Sequence, residues 1–388
     1  MNFWSSKQKE SLLLDFGSGS VKGCIFERDK GGNNIVKDLA VAKLDKYGVF
    51  NGHLAKTKAK QSKRLIIQDF DSEVIRAATE RVMGQLGLKN IDKVNTLISL
   101  PADCLKARVV KVSVGRGVEA KRINGKEAKA IFQAIFEEAK AKIVAEFESV
   151  AQVYGLKFLR ARVLAIQISG YNVPTIIGFR GKVFDVQVLI VFCLRTKWFQ
   201  FKQILEPFKP KQMHIFHEAE GLIKCPKIVK EQNVILADIG HLFTKFFIFR
   251  GKNLETTGEW PQGSYDLSLA LQAKLKMSEG EAQEIMSNLT KGALTPKITE
   301  RINKILAPVA DIWWGRMKTM SMQSGLNTAP VVILGGGSFS PCFLQQAPAA
   351  GFSARVLDIK QLSLINSSGT SLSPAEAGTL VLTFSESH

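Results

Sequence analysis

The chain has 388 residues and no run of 18 uncharged apolar residues. Its longest apolar stretch, 188–194, is of strand length, so no transmembrane helix is expected. The opening residues lack the basic region, apolar run and small-residue site of a signal peptide. Five cysteines (Cys24, Cys104, Cys193, Cys225 and Cys342) are an odd, scattered set with no Cys-x-x-Cys pair. That pattern excludes a disulfide framework and fits buried thiols in a reducing compartment. The five histidines are not spaced with the cysteines as a ligand set, which argues against zinc. There is no Ser-His-Asp signature for nucleophilic hydrolysis. Acidic residues are in deficit, 35 against 53 basic ones. The resulting net charge of +18 favours polyanionic partners such as an anionic membrane face. The densest basic cluster, Lys56, Lys58, Lys60, Lys63 and Arg64, reads first as a solvated loop. No recognition helix or aromatic-basic stacking motif accompanies the charge, so specific nucleic-acid binding is disfavoured.

Three glycine-bearing segments follow apolar runs. Leu12-Leu13-Leu14 leads into Asp15-Phe16-Gly17-Ser18-Gly19-Ser20-Val21-Lys22, and Val234-Ile235-Leu236-Ala237 into Asp238-Ile239-Gly240-His241-Leu242-Phe243-Thr244-Lys245. Near the C-terminal end, Val331-Val332-Ile333-Leu334 leads into Gly335-Gly336-Gly337-Ser338. An aspartate at the end of a buried strand can position magnesium and its waters. Glycines let backbone N–H groups approach phosphate oxygens, and Ser or Thr adds hydroxyl donors. One such turn alone is ordinary punctuation. The ordered set, in two halves, predicts a cleft between two similar domains. Asp15 and Asp238 are the expected metal-positioning residues. The expected nucleotide contacts are Asp15, Gly17, Ser18, Gly19, Ser20, Lys22, Asp238, Gly240, Thr244, Gly335, Gly336, Gly337 and Ser338. Lys22 reads equally as a surface lysine on an edge strand.

The order and spacing of these motifs resemble the actin-like ATPase superfamily, an α/β class with two ribonuclease-H-like domains around a nucleotide cleft. The middle of the chain narrows the resemblance. Gly115-Arg116-Gly117-Val118, Asn124-Gly125-Lys126-Glu127, Gly170-Tyr171-Asn172-Val173-Pro174 and Ile177-Gly178-Phe179-Arg180-Gly181-Lys182 are similar to stretches of the FtsA/PilM group, as is the later Glu281-Ala282-Gln283. The resemblance covers nearly the whole chain, nearer FtsA than PilM. It implies a first domain over 1–105 and 195–226, an inserted α+β module over 106–194, and a second domain over 227–388. A helical insertion at about 265–325 stands where FtsA carries a small sheet, and this is closer to PilM.

ATP and Mg2+ are the implied ligands. The implied role is a cytoplasmic adaptor, peripheral at the inner face of the membrane, in bacterial cell division. Its partners would be a tubulin-like division protein or the cytoplasmic peptide of a membrane protein, with self-association into filaments and contact with an anionic membrane as further expectations. A PilM-like pilus-assembly role, a degenerate scaffold without nucleotide and a metabolite kinase stay open as alternatives. FtsA continues into an amphipathic membrane helix that is not seen before His388, so Met1-Asn2-Phe3-Trp4 is a candidate anchor instead.

Two departures weaken the implied site. The family's Asp-Ile-Gly-Gly-Gly-Thr-Thr-Asp reads here Asp238-Ile239-Gly240-His241-Leu242-Phe243-Thr244-Lys245. Two glycines are lost, and Lys245, which could pair with phosphate, replaces an acid. A lysine expected against the nucleoside is Met286. At most slow ATP turnover is implied, needing an oriented water and a polarising group. Glu218, beside His217 and Glu220, is the candidate catalytic residue, although first-turn acids also serve plainly as helix charges.

Patterning predicts strands at 12–15, 22–26, 35–44, 94–100, 107–114, 158–168, 175–179, 184–194, 234–238, 246–250 and 254–260. Helices are expected from Asp71 to about Leu86, at 125–147, 197–207, 265–276, 279–287 and 296–323, the last with a break at Pro308. Ser373 and Pro374 should open a closing helix.

Overall fold

In the computed structural model, described residues are 10–29, 33–44 and 70–386, apart from 90, 93, 117–120, 211–212, 226–232, 328, 363 and 368–371. The Met1–Trp4 segment and the Lys56–Arg64 cluster lie outside them. Strand β1 (Ser11–Phe16) is buried at every position. It pairs antiparallel with β2 (Ser20–Arg28), and β2 with β3 (Asn34–Lys43). Helix α1 (Ser72–Gln85) follows. The Asp71 side chain accepts from the Glu73 and Val74 N–H groups, and Ile75, Ala78 and Val82 form the buried stripe. The helix stops at Leu86, with Gly87 at φ +68° beyond it. β4 (Asn95–Ser99) then pairs parallel with β1.

The inserted module comprises β5 (Leu105–Gly115), α2 (Gly125–Glu146), α3 (Glu148–Tyr154), β6 (Leu156–Ile168), β7 (Tyr171–Asn172) and β8 (Val183–Leu194). Its four strands run in the order β5-β8-β6-β7. The 175–179 segment is a turn rather than the expected strand. The Ile177 N–H donates to Thr175 Oγ1, and Gly178 has φ +83°, which breaks extended pairing. Helix α4 (Arg195–Leu205) returns the chain to β9 (Met213–Ile215), parallel to β4, and then to the short α5 (Glu218–Leu222).

The second half repeats the first. β10 (Asn233–Ile239), β11 (Thr244–Arg250) and β12 (Asn253–Trp260) form an antiparallel meander. β13 (Val331–Leu334) pairs parallel with β10, and β14 (Ala354–Val356) with β13. The order β12-β11-β10-β13-β14 reproduces β3-β2-β1-β4-β9. Between β12 and β13 lie α6 (Ser264–Leu275), α7 (Glu279–Thr290) and α8 (Pro296–Gln323). Helix α8 runs through Pro308 without a break. It is held by Leu306, Ala310, Trp313, Trp314 and Met317, buried at helical spacing, and packing outweighs the one lost backbone hydrogen bond.

Alternate residues of β10 serve two cores. Val234 and Leu236 join the cluster built on the first sheet, whereas Ile235, Ala237 and Ile239 join α6 and α8. After α9 (Pro341–Gln346) and β14, the chain leaves the second sheet. β15 (Ile365–Asn366) pairs with β3, and α10 (Ala377–Leu382) buries Leu380, Val381 and Leu382 in the first cluster. The 227–388 assignment therefore covers a terminal stretch that packs with the first domain, because its apolar residues are buried there.

Candidate functional site

The repeated topology sets two aspartates in equivalent places. Asp15 stands opposite Lys22 across the β1–β2 ladder, and Asp238 opposite Lys245 across the β10–β11 ladder. Residues directly opposite in an antiparallel pair share one face. The two lysines nevertheless diverge. Lys22 Nζ donates to the Ala375 carbonyl at 2.8 Å, rather than standing free on an edge. Lys245 Nζ lies 3.2 Å from Asp238 Oδ2 and makes a salt bridge with Glu218 Oε1.

These groups form one buried cluster at the junction of the two halves. Asp15 Oδ2 accepts from Thr379 Oγ1 at 2.6 Å. Helix α10 places Gly378 against both Asp238 and Glu218, where a Cβ would come 3.2 Å from each carboxylate. Burial pushes the Glu218 carboxyl up to about 7; Lys245 opposes that shift, and the Asp238 and Asp15 charges add to it. Glu218 Oε2 has no hydrogen-bond partner. Burial also works against the Lys245 charge, but Glu218, Asp238 and Asp15 outweigh it and raise its pKa well above the lysine range. Lys245 is thus a resident ammonium among three carboxylates. His217, the N-cap of α5, accepts from the Ala219 N–H at 3.1 Å; burial and Lys245 lower its pKa to about 3.

The two phosphate-type loops touch. The Leu242 N–H donates to Ser18 Oγ at 3.1 Å. His241 lies over Gly19, where an added Cβ would come 2.7 Å from the imidazole-bearing carbon. It therefore faces the opposing loop, and burial lowers its pKa to about 4. Leu242 and Phe243, standing where the family pattern has Gly and Thr, pack with Ala102 and Tyr265 in a small apolar cluster.

Candidate donors are turned inward. The Gly17 N–H donates to the Ser20 carbonyl at 2.9 Å, and the Gly240 N–H to the Phe243 carbonyl at 2.9 Å. Thr244 Oγ1 donates to the Gln262 carbonyl and accepts from Trp313 Nε1. The Gly335 N–H donates to the Pro374 carbonyl at 2.9 Å, and Ser338 Oγ to the Gly335 carbonyl at 2.7 Å. Gly335, at φ +84°, and Gly337 fit closely against β10, so their role is close backbone packing. Gly336 is exposed with open space above it. As arranged, Asp15 and Asp238 are engaged within the protein. The metal-type carboxylates are spent on Thr379 and Lys245, and His241 stands over the first loop. Two open concavities, of about 460 and 610 Å³, flank α8.

Thr379, Gly378 and the cation role of Lys245 escaped the sequence reading. The Asp-x6-Lys spacing, shared by 15–22 and 238–245, was the available signal for the paired register. A second junction was also missed. Glu259 on β12 accepts from Lys106 Nζ at 2.7 Å and from Arg108 Nη1 at 2.8 Å, joining the second domain to the root of β5. Burial would raise the Glu259 pKa, but Arg108 and Lys106 hold it far below the carboxylate range.

No protein-family model matches the chain, and no curated protein matches it in sequence. Solved structures do match in shape. PilM of a PilM–PilN type IV pilus biogenesis complex superposes with a TM-score of 0.64 at 13% identity, covering 98% of this chain and 100% of that one. The ethanolamine utilization protein EutJ from Carboxydothermus hydrogenoformans gives 0.48 at 12% identity, covering 97% and 89%. MreB 5 of Spiroplasma citri bound to AMPPNP gives 0.43 at 9% identity, covering 96% and 95%. With its duplicated sheets, inserted module and end-to-end likeness to PilM, the chain has the actin-like fold of the FtsA/PilM type.

Proposed function

We propose that this protein is a PilM-type actin-like scaffold, working through protein contacts at the inner face of a membrane rather than through an ATP cycle. One observation carries the reading: Lys245 is held between Glu218 and Asp238 at the strand end where a metal-bound phosphate would be expected. An internal ammonium supplies the positive charge that the carboxylates need, so the closed arrangement is satisfied without ligand. Glu218 is then a structural partner of Lys245, and polarising a water is not its task.

The helical α6–α8 segment, in place of a small sheet, favours a PilM-like role over an FtsA-like division adaptor with a tubulin-like partner. The fitting partner is the cytoplasmic peptide of a membrane protein, since PilM is found in complex with PilN. Among described residues no helix is long and apolar enough to cross a membrane, which suits peripheral attachment.

Calorimetric titration with Mg·ATP tests the reading. Wild type should show no saturable binding at millimolar nucleotide. A chain carrying His241→Gly, Leu242→Gly, Phe243→Thr and Lys245→Asp, which restores the family's second loop, should acquire it. Tight binding by wild type, abolished by Asp15→Ala, would instead establish a working ATP site.

A further inference from the structure

The end of the inserted module farthest from the first domain carries a surface that the cleft does not explain. β5 leaves the first domain at Leu105 and ends at Gly115; β8 starts at Val183 and runs back into α4. Arg116, residues 121–124, the β6–β7 turn and the 173–182 segment therefore gather at one tip. Backbone bonds tie them together. The Arg116 N–H donates to the Lys182 carbonyl at 2.7 Å, the Ile123 N–H to the Phe179 carbonyl at 3.0 Å, and the Gly178 N–H to the Ile123 carbonyl at 2.9 Å.

Four large apolar side chains are exposed there: Tyr171 at 78%, Ile177 at 50%, Val183 at 44% and Phe179 at 39%. Single exposed hydrophobic residues are ordinary. Here four of the molecule's thirteen exposed ones, among described residues, fall within 171–183, a concentration at one end of the module, with Tyr171 and Val183 on opposite faces of its sheet. Lys121, Arg122, Lys126 and Arg180 are exposed beside them. Among described residues, the acids nearby are already engaged. Glu127 is gripped by Arg116 at 2.6 and 2.9 Å, and Asp185 accepts from Ser113 Oγ. The described tip thus presents apolar knobs in a ring of cations.

We propose that this tip docks directly onto an anionic lipid bilayer. Tyr171, Ile177, Phe179 and Val183 enter the boundary between headgroups and acyl chains, while Lys121, Arg122, Lys126 and Arg180 meet the lipid phosphates. Membrane surfaces reward this pairing of apolar area with basic charge, and tyrosine suits the interfacial depth. An acidic peptide or a nucleic acid would satisfy the cations but leave Ile177 and Val183 in water. The contact is independent of nucleotide and of any peptide partner, so it stands or falls apart from the scaffold reading.

Co-sedimentation of the full chain with vesicles tests it. Phosphatidylcholine containing phosphatidylglycerol should pull the protein down, and pure phosphatidylcholine should not. The double variant Ile177→Asp, Phe179→Asp should keep its melting temperature but partition at least about tenfold less. Arg122→Glu and Arg180→Glu should each weaken binding by about fivefold or more. The proposal is overturned if the anionic vesicles capture no protein, or if the tip variants partition like wild type. It is also overturned if removing residues 2–6 abolishes capture by itself. Equal competition by soluble polyglutamate, unaffected by Ile177→Asp, would mark a general polyanion site instead.

Discussion

Lys245 stands directly opposite Asp238 on neighbouring strands, and its ammonium also engages Glu218 on α5. One side chain from the second domain thereby ties its own strand end to the helix that closes the first. Replacing Lys245 by Met should leave buried carboxylates without their cation and cost about 3 kcal/mol in denaturant unfolding. Adding Glu218→Gln should recover part of that loss, because the two residues share one interaction. Strict additivity of the two changes would show that they do not interact.

Contact between the loops makes Gly19 a sensitive position. In Gly19→Ala the new methyl meets His241, and overpacking of this kind costs about 1–3 kcal/mol. His241→Gly in the same chain should relieve the clash and return the melting temperature toward that of His241→Gly alone. If Gly19→Ala melts like wild type, the loops are not apposed in solution.

The titrating groups of the cluster give opposite pH slopes. Glu218 is raised from 4.5 to about 7, so the folded state holds an extra proton in that window and stability falls as pH rises through it. His217 and His241 are lowered from 6.5 to about 3 and about 4, so stability is full above 6.5 and is lost as pH falls. The opposing terms partly cancel in wild type. Glu218→Gln removes only the acid-side gain, and its stability should drop more steeply on acidification from about pH 7 to about pH 5, by roughly 1–3 kcal/mol. Parallel curves for the two proteins would refute a raised Glu218.

Glu259 offers a separate test, away from the cleft. Lys106, fully buried, depends on it together with Arg108, so Glu259→Gln should destabilise by about 3–5 kcal/mol. Lys106→Met should cost less in that background than in wild type, measured by the same unfolding transition. An equal cost in both backgrounds would dismiss the pair as a latch between the inserted module and the second domain.

Much of the fold was legible because its signals are local. Apolar runs ending in Asp-x-Gly placed β1 and β10, and Asp71 announced α1 through its own side-chain cap. Two local signals misled. The apolar 175–179 segment resembled a strand, but the backbone turns at Gly178. Pro308 suggested a break, yet the packing of Trp313 and Trp314 keeps α8 continuous. The site was legible as a set of positions and not as an arrangement. Loss of two glycines and gain of Lys245 could be read directly, whereas the partner of Lys245 could not.

What the sequence determined by itself was the duplicated strand–turn–strand frame, since periodicity and turn chemistry act over a few residues. What only the tertiary structure decided was the occupancy of the junction. Thr379 reaches Asp15 across 364 positions of chain, and Leu242 reaches Ser18 across 224. Such contacts depend on how the two halves and the returning α10 pack together. There a substitution visible in the sequence, Lys245, meets Glu218 and Asp238, and the neighbouring carboxylates keep it charged against the effect of burial.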